Sequence, residues 1–493
     1  MGIRCKTRNV VSNTLSSSGP SPEEYTVSIA TALNQTDTTR WQEAVDYIND
    51  IINDAAAKAG TTMGVELENR SKKYTDISSP INPGTSVQSS FLKIEPVVAA
   101  EVRKSCSGLW TSIAYHIRHN KFTTFMAMDA LAPMPGYVEP VRRPTVVVFI
   151  APGSLAHWDE IEAQIRDGTE AVPFEEDVEI ALEVLPGFSV PSSMHSGKCP
   201  VTTSCHPKYE SPITLVPSLG ASIGPHLSDA DSGSLGAVVN FQPRGGGEPQ
   251  KCFLTAYHVI ASGDPIDRAA NDELGIGLDG RKVTWRIEIA YPAPCDGEYT
   301  KECIAKHATG DTKFRESNCE DLAAFIENEG VIGEIIHASG PRHNNVGDRR
   351  CRIDWALVAL HPHKVAVLNT APTKFTGLQV RYNGSSTDVI FGTGKPVAFS
   401  WAGKNTSGIW GTVNGMKRTV CWGDGVIPKE VEVIPSHGRF AEGGDDGSMV
   451  FYLNKEWVGM VIGGDSEYAG YITPAADIIA DIKARTGGAI TLI

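Results

Sequence analysis

The chain has 493 residues, 41% of them apolar, which is enough for two or three domains with cores of their own. Its formal net charge of −14 excludes a general nucleic-acid binder, which needs a basic face to displace counterions. No apolar run approaches the roughly 18 residues of a membrane span, and the 48 glycines and 30 prolines favour short strands and turns over a helical bundle.

Residues 1–25 are rich in Ser and Pro and predict a disordered N-terminus. The opening MGIRCKTRNV has neither the apolar core of an export signal nor a myristoylation pattern. The ten cysteines lack CxxC or zinc-type spacing, so free thiols in an intracellular, cytoplasmic setting are expected. Residues 26–187 predict a small α/β accessory domain. In TTRWQEAVDYINDIINDAAAKAG, Trp41, Ala44, Val45, Ile48, Ile52 and Ala55 fall on one helical face, with Thr39 and Gln42 set for a capping box. Residues 60–90 read as loop, and SGLWTSIAYHIRH as a helix or a strand pair. His116 and His119 lie three apart there but have no acidic or cysteine company for a metal. PTVVVFI, the amphipathic SLAHWDEIEAQIRDG and DVEIALEVLPG predict a strand–helix–strand crossover. The turn Ala151–Ser154 between its first strand and helix reads as structural, capped by Ser154, rather than as an anion loop.

Residues 188–232, rich in Ser, Pro, Gly and Thr, predict a linker. From 233 to 493 the character changes to short apolar runs between Gly-rich turns, among them SLGAVVNF, KCFLTAYHVI, VTWRIEIAY, VIGEIIHA, DWALVAL, TDVIFGTG, SMVFYL and EWVGMVIGG. These predict an all-β domain, closed by the helix ITPAADIIADIKARTGG. The acidic stretch holding Cys295, Cys303 and Cys319 reads as a solvated loop, and neither a metal nor a cofactor is expected.

Four patterns in that domain occur in one order: FLTAYHVI, with His258 at a strand end; RIDWALVAL, with Asp354 opening a buried strand; FAEGGDDGSMVF, followed by the strand WVGMVIGGD; and YITP, followed by the terminal helix. Together they resemble the two-barrel, chymotrypsin-fold group of trypsin-like serine peptidases over roughly 230–493. The region from about 60 to 225 resembles the accessory part of large intracellular fungal members. The fold class implied is α+β multidomain: a C-terminal double six-stranded β-barrel with a terminal helix, preceded by the small α/β domain. By this resemblance His258 is the general base, Asp354 its orienting carboxylate and Asp446 the residue at the nucleophile position. The N–H groups of Gly444 and Asp446 form the oxyanion hole. Phe440 floors the primary pocket, which makes that pocket apolar or filled. Ile462, Gly463 and Gly464 line the strand on which an extended peptide pairs.

A triad works because the imidazole takes the hydroxyl proton of its nucleophile. A carboxylate at 446 offers no hydroxyl, so the expected ground state is a His258–Asp446 ion pair with a raised histidine pKa and no peptidase activity. The expected partner is then a peptide or protein segment, neither nucleic acid nor membrane. The alternative is an active endopeptidase in which Ser448, two residues on, serves as nucleophile with His258 and Asp354.

Overall fold

The structure, a computed structural model, describes residues 2–7, 24–30, 41–58, 62–68, 73–123, 142–190, 217–296, 324, 330–362 and 398–493, apart from short stretches inside the longer segments. These fall into two compact units, Met1–Ser78 with Arg118–Arg142, and Ser79–Ile117 with Arg143–Ile493. In the first, strands β1 (Gly2–Thr7), β2 (Glu24–Ala30) and β3 (Thr62–Glu68) form one sheet, antiparallel then parallel. The 18-residue helix α1 (Trp41–Lys58) joins its parallel pair, as the apolar stripe predicts, and β4 (Lys73–Ser79) follows.

Strands β3 and β4 and the first turn of the helix that opens the second unit all fall in residues 60–90, which read as loop. Helix α2 (Ser86–Ser105) starts at Thr85, whose hydroxyl accepts the Gln88 N–H, and buries Phe91, Ile94, Val98 and Val102. Pro96 lies inside it on the exposed side, where the amide bond it forgoes faces solvent. Strand β5 (Trp110–Thr123) resolves the ambiguous SGLWTSIAYHIRH segment. Strand β6 (Arg142–Ile150), helix α3 (Trp158–Glu170) and β7 (Ala181–Pro186) form the expected crossover, with Thr145–Ile150 parallel to Ala181–Pro186. Ser154 does not cap α3. Its N–H closes the turn onto Ala151 O, Gly153 takes a left-handed φ of 81°, and the helix begins four residues later.

The remaining strands are β8 (Ser189–Val190), β9 (Ser222–Pro225), β10 (Gly233–Ser234), β11 (Val238–Gln242), β12 (Gln250–Thr255), β13 (Glu288–Ala290), β14 (Val331–Ala338), β15 (Arg342–Val346), β16 (Arg349–Ile353), β17 (Ala356–Leu360), β18 (Ala398–Ala402), β19 (Thr406–Val413), β20 (Arg418–Val420), β21 (Lys429–Pro435), β22 (Met449–Phe451), β23 (Trp457–Asp465), β24 (Gly470–Pro474) and β25 (Ala489–Leu492). One sheet has eight strands in the order β10-β9-β13-β14-β17-β12-β11-β25. A second runs β19-β18-β22-β23-β24-β21-β20 and continues into β5-β6-β7. Both exceed the six strands expected of each barrel. The second also crosses the boundary expected between an accessory domain at 26–187 and a β-domain at 233–493. The reason is backbone pairing: Thr419 and Val420 sit opposite Ile113 and Ser112. The terminal helix (Ala475–Thr486) ends at Gly487, whose left-handed φ of 67° returns the chain as β25 along β11. The segments TDVIFGTG, 191–216 and 301–320 lie outside the described residues.

One core packs Val238, Phe253, Leu254, Trp355, Leu357 and Val358 against Ile478 and Ile482 of the terminal helix. Another joins α2, β5 and β6, with Phe91 edge-on to Tyr115 at 5.3 Å between ring centroids. The junction between β5 and the β-domain is charged and buried. The Arg418 guanidinium donates to Ser112 Oγ, to Glu432 Oε1 at 2.9 Å and to Asp465 Oδ2 at 2.6 Å. It also lies 4.3 Å over the Phe149 ring. His116 Nε2 sits 2.9 Å from Glu432 Oε2, which Asn414 Nδ2 also reaches at 2.8 Å. Burial pushes the Glu432 pKa up, but His116, Arg418 and Asn414 outweigh it and bring it down to about 2.

Candidate functional site

Strand β12 delivers His258 and strand β17 delivers Asp354. Antiparallel pairing sets Thr255 opposite Ala356, so the residue three beyond the first meets the residue two before the second. His258 lies on a single helical turn (Tyr257–Ile260). Its backbone N–H donates to Asp354 Oδ1 at 3.1 Å, and its Nδ1 lies 2.7 Å from Asp354 Oδ2. The imidazole is therefore fixed by one carboxylate through both main chain and ring.

The other ring nitrogen meets Asp446: Nε2 to Oδ2 is 2.6 Å. Asp446 stands on a turn pinned across the two sheets. Ser234 of β10 donates its N–H to Asp446 O at 2.8 Å and its hydroxyl to Gly444 O at 2.9 Å. The Gly447 N–H reaches Val461 O on β23 at 2.9 Å. Asp445 is buried beside Asp446, and its Oδ2 accepts the Glu442 N–H at 2.8 Å. Gly444 and Gly447 both take left-handed φ, 94° and 90°. A Cβ at Gly447 would stand 2.3 Å from Thr255 Oγ1 and 2.5 Å from Ser234 O. Gly447→Ala is therefore expected to cost several kcal/mol, combining a strained backbone with overpacking (about 1–3 kcal/mol each). A urea unfolding midpoint unchanged by this substitution would count against the turn as described.

Burial alone would lower the His258 pKa, but the charges of Asp354 and Asp446 and their hydrogen bonds outweigh it and raise it to about 9. Below that pH both ring nitrogens donate, one to each carboxylate. Burial likewise pushes the Asp354 carboxyl up, but His258 and Arg352 hold it well below the usual carboxylate range. Arg352 is a member the sequence reading missed. Its Nε and Nη2 reach Asp354 Oδ2 at 2.9 and 2.6 Å, and its guanidinium lies 4.7 Å over the Trp422 ring. The available signal was its position two residues before Asp354, which in extended chain puts both side chains on one face.

The remaining expected residues separate. Ser448 is buried, but its Oγ has no hydrogen-bond partner among the described residues. It is not hydrogen-bonded to His258, whose two ring nitrogens are engaged by Asp354 and Asp446. At the two residues expected to form the oxyanion hole, the carbonyls are held by Ser234: its hydroxyl donates to Gly444 O and its N–H to Asp446 O. Phe440 is fully buried and fills its surroundings: a Cβ on Gly470 would lie 2.5 Å from its Cδ1, and one on Gly411 2.9 Å from its Cδ2. Its ring packs with Val413, Val433, Val461 and Ile472. Ile462, Gly463 and Gly464 are buried on β23. The Gly464 position is paired, opposite Val190 of β8. No cluster of potential metal ligands occurs among the described residues, and no described helix is long and apolar enough to cross a membrane.

No protein-family model matches the chain, and no curated protein does. Solved structures to which it is similar include Thermobifida fusca Protease A, at 14% identity over 56% of this chain and 100% of that one (TM-score 0.28). A Cellulomonas bogoriensis chymotrypsin aligns at 15% identity over 57% and 98% (TM-score 0.30). The active form of the Rv3671c protease of M. tuberculosis aligns at 12% identity over 57% and 94% (TM-score 0.25). Likenesses of this size leave the reading of the site to its own geometry.

Proposed function

We propose that the β-domain is a trypsin-like serine peptidase homologue that does not hydrolyse peptides and instead binds an extended peptide or protein segment in an intracellular, cytoplasmic setting. The observation that carries this reading is the 2.6 Å contact between His258 Nε2 and Asp446 Oδ2. In a working triad that nitrogen takes the nucleophile's hydroxyl proton as the oxygen bonds to the substrate carbonyl. Here it is already bound to a carboxylate, and a second carboxylate holds the other side of the ring. The chain has the base and its orienting group without a hydroxyl between base and substrate. The Phe440 side chain, packed between Gly411 and Gly470, supports loss of a deep primary pocket as well.

The test uses a fluorophosphonate probe, which labels only an activated serine, on three full-length forms. The native chain is expected to remain unlabelled. Asp446→Ser is expected to gain labelling, and Asp446→Ser with His258→Ala to lose it again, by at least about a hundredfold, the usual contribution of a positioned base. Labelling of the native chain that disappears in Ser448→Ala would overturn the inactive reading in favour of a Ser448 enzyme. An Asp446→Ser form that folds yet is never labelled would overturn the peptidase-homologue reading of the site.

A further inference from the structure

The edge of β23 beside the Asp446 turn is already occupied by this chain. One edge of β23 pairs with β24 along the register Gly459–Pro474 to Gly464–Gly470. The other edge pairs with β22 over Trp457–Met460, then meets the turn at Val461, whose N–H donates to Ser448 O and whose carbonyl accepts the Gly447 N–H. Beyond that point Gly464 and Asp465 face Val190 and Ser189 of β8, antiparallel. At about 3.3 Å per residue, the β8 contact lies only about 10 Å along the strand from the turn that carries Asp446. The direction of β8 runs from Asp465 toward Gly464, which is toward the site.

The approach of β8 is built rather than incidental. Strand β7 ends at Pro186 opposite Ile150. The Gly187 N–H then donates to Ile150 O at 2.8 Å, and the Thr111 hydroxyl donates to Gly187 O at 2.7 Å. Ser189 Oγ lies 2.9 Å from the Tyr471 hydroxyl on β24. The facing end of β23 is equally fixed: the Asp465 carboxylate accepts the Arg418 guanidinium and the N–H groups of Tyr468 and Ala469. An open strand edge is a template for any extended chain. Here it is met by two residues supplied from the end of the βαβ crossover.

We propose that Ser189–Val190 is a resident strand that closes the β23 edge, and that an outside segment binds this cleft by displacing it. This rests on the reading of the cleft as a peptide-binding site. The occupant that fits is an extended segment offering main-chain pairing to Gly464 and a small hydroxylated residue to Tyr471. A pairing of two residues is short enough to be exchanged for a longer one, so the crossover controls access without covering Asp446 itself.

Two measurements on the full chain test this, native against Val190→Pro, which removes the Val190 N–H from the edge. Amide hydrogen exchange at Gly464 reports whether β8 covers the edge. Fluorescence anisotropy with a labelled synthetic peptide of sequence PGFSVPSS, residues 186–193, reports whether a strand can take its place; a scrambled peptide is the control. The variant is expected to exchange Gly464 at least about tenfold faster and to bind the peptide at least about tenfold more tightly than the native chain, while the scrambled peptide binds neither. Unchanged exchange at Gly464, or measurable and equal peptide binding by the two forms, overturns the resident strand. Faster exchange with no peptide binding by either form overturns instead the underlying reading of the cleft, and displacement with it. Should Val190→Pro not fold, the double substitution Ser189→Gly, Val190→Gly weakens the same strand while keeping its N–H groups.

Discussion

Replacing Arg418 with methionine is expected to destabilise the second unit by about 3–5 kcal/mol, the usual cost of removing one partner from a buried ion pair. The side chain is fully buried and is the cation shared by Glu432 and Asp465, whose side chains are 0% and 1% exposed. Its loss strands two carboxylates in the interior, removes the two donors that hold Ser112 of β5, and empties the contact with the Phe149 ring. The drop should appear as a lower urea midpoint with the slope preserved, and as a fall in melting temperature of roughly 10 °C. Restoring neutrality with Glu432→Gln and Asp465→Asn in the same chain is expected to recover part of the loss, since uncompensated charge is most of the penalty. A loss under about 1 kcal/mol for the single substitution would mean that the junction is solvated and that Arg418 is an ordinary surface cation.

The second large effect concerns His258. Its imidazole is expected to stay protonated until pH about 9, read by NMR of the ring protons. Asp446→Asn, which keeps an acceptor oxygen but removes the charge, is expected to bring the midpoint back toward neutrality. The stability consequence follows from linkage. The folded value lies above that of the unfolded chain, about 6.5. The contribution is therefore fully present below pH about 6.5 and is lost as pH rises through about 9. On the acid side the signs reverse. The Asp354 and Glu432 pKa values are depressed by folding, so their contributions are present above pH about 4 and are lost as pH falls toward 2. Native stability should decline between pH 6.5 and 9, and Asp446→Asn should move that decline to lower pH. An alkaline limb identical in the two chains would remove Asp446 from the account of the His258 charge.

The residues at the centre of the site were legible because each stands where an apolar run meets a turn. His258 follows the strand residues FLT by three positions, Asp354 precedes WALVAL, and Asp446 lies between two glycines whose left-handed backbone the turn requires. Strand ends are where local pattern and tertiary position coincide. Phe440 was singled out only through the family resemblance, and the structure shows it buried between Gly411 and Gly470. Arg352 was not legible, because only the fold supplies the aspartate and tryptophan that enclose its guanidinium. Helix α2 begins inside the stretch 60–90 that read as loop, and it accommodates Pro96 on its exposed side. The pairing of β5 with β20 and of β8 with β23 joins residues hundreds of positions apart through main-chain groups that every residue carries, so no side-chain pattern announces either. The second sheet carries more strands than six because its edge accepts β5, and through it β6 and β7.

The pairing of β5 with β20 also sets a timetable for synthesis. Ser112 and Arg418 are 306 positions apart. At roughly 5–20 residues per second, the ribosome takes about 15–60 s to supply the partner after β5 has been made. Throughout that interval α2, β5 and the crossover can assemble their shared apolar layer, but the edge that will receive Thr419 and Val420 has no strand beside it. The nascent chain thus carries an open pairing edge until Thr419 and Val420 have been made, and an unpaired edge of this kind is a template for association during synthesis.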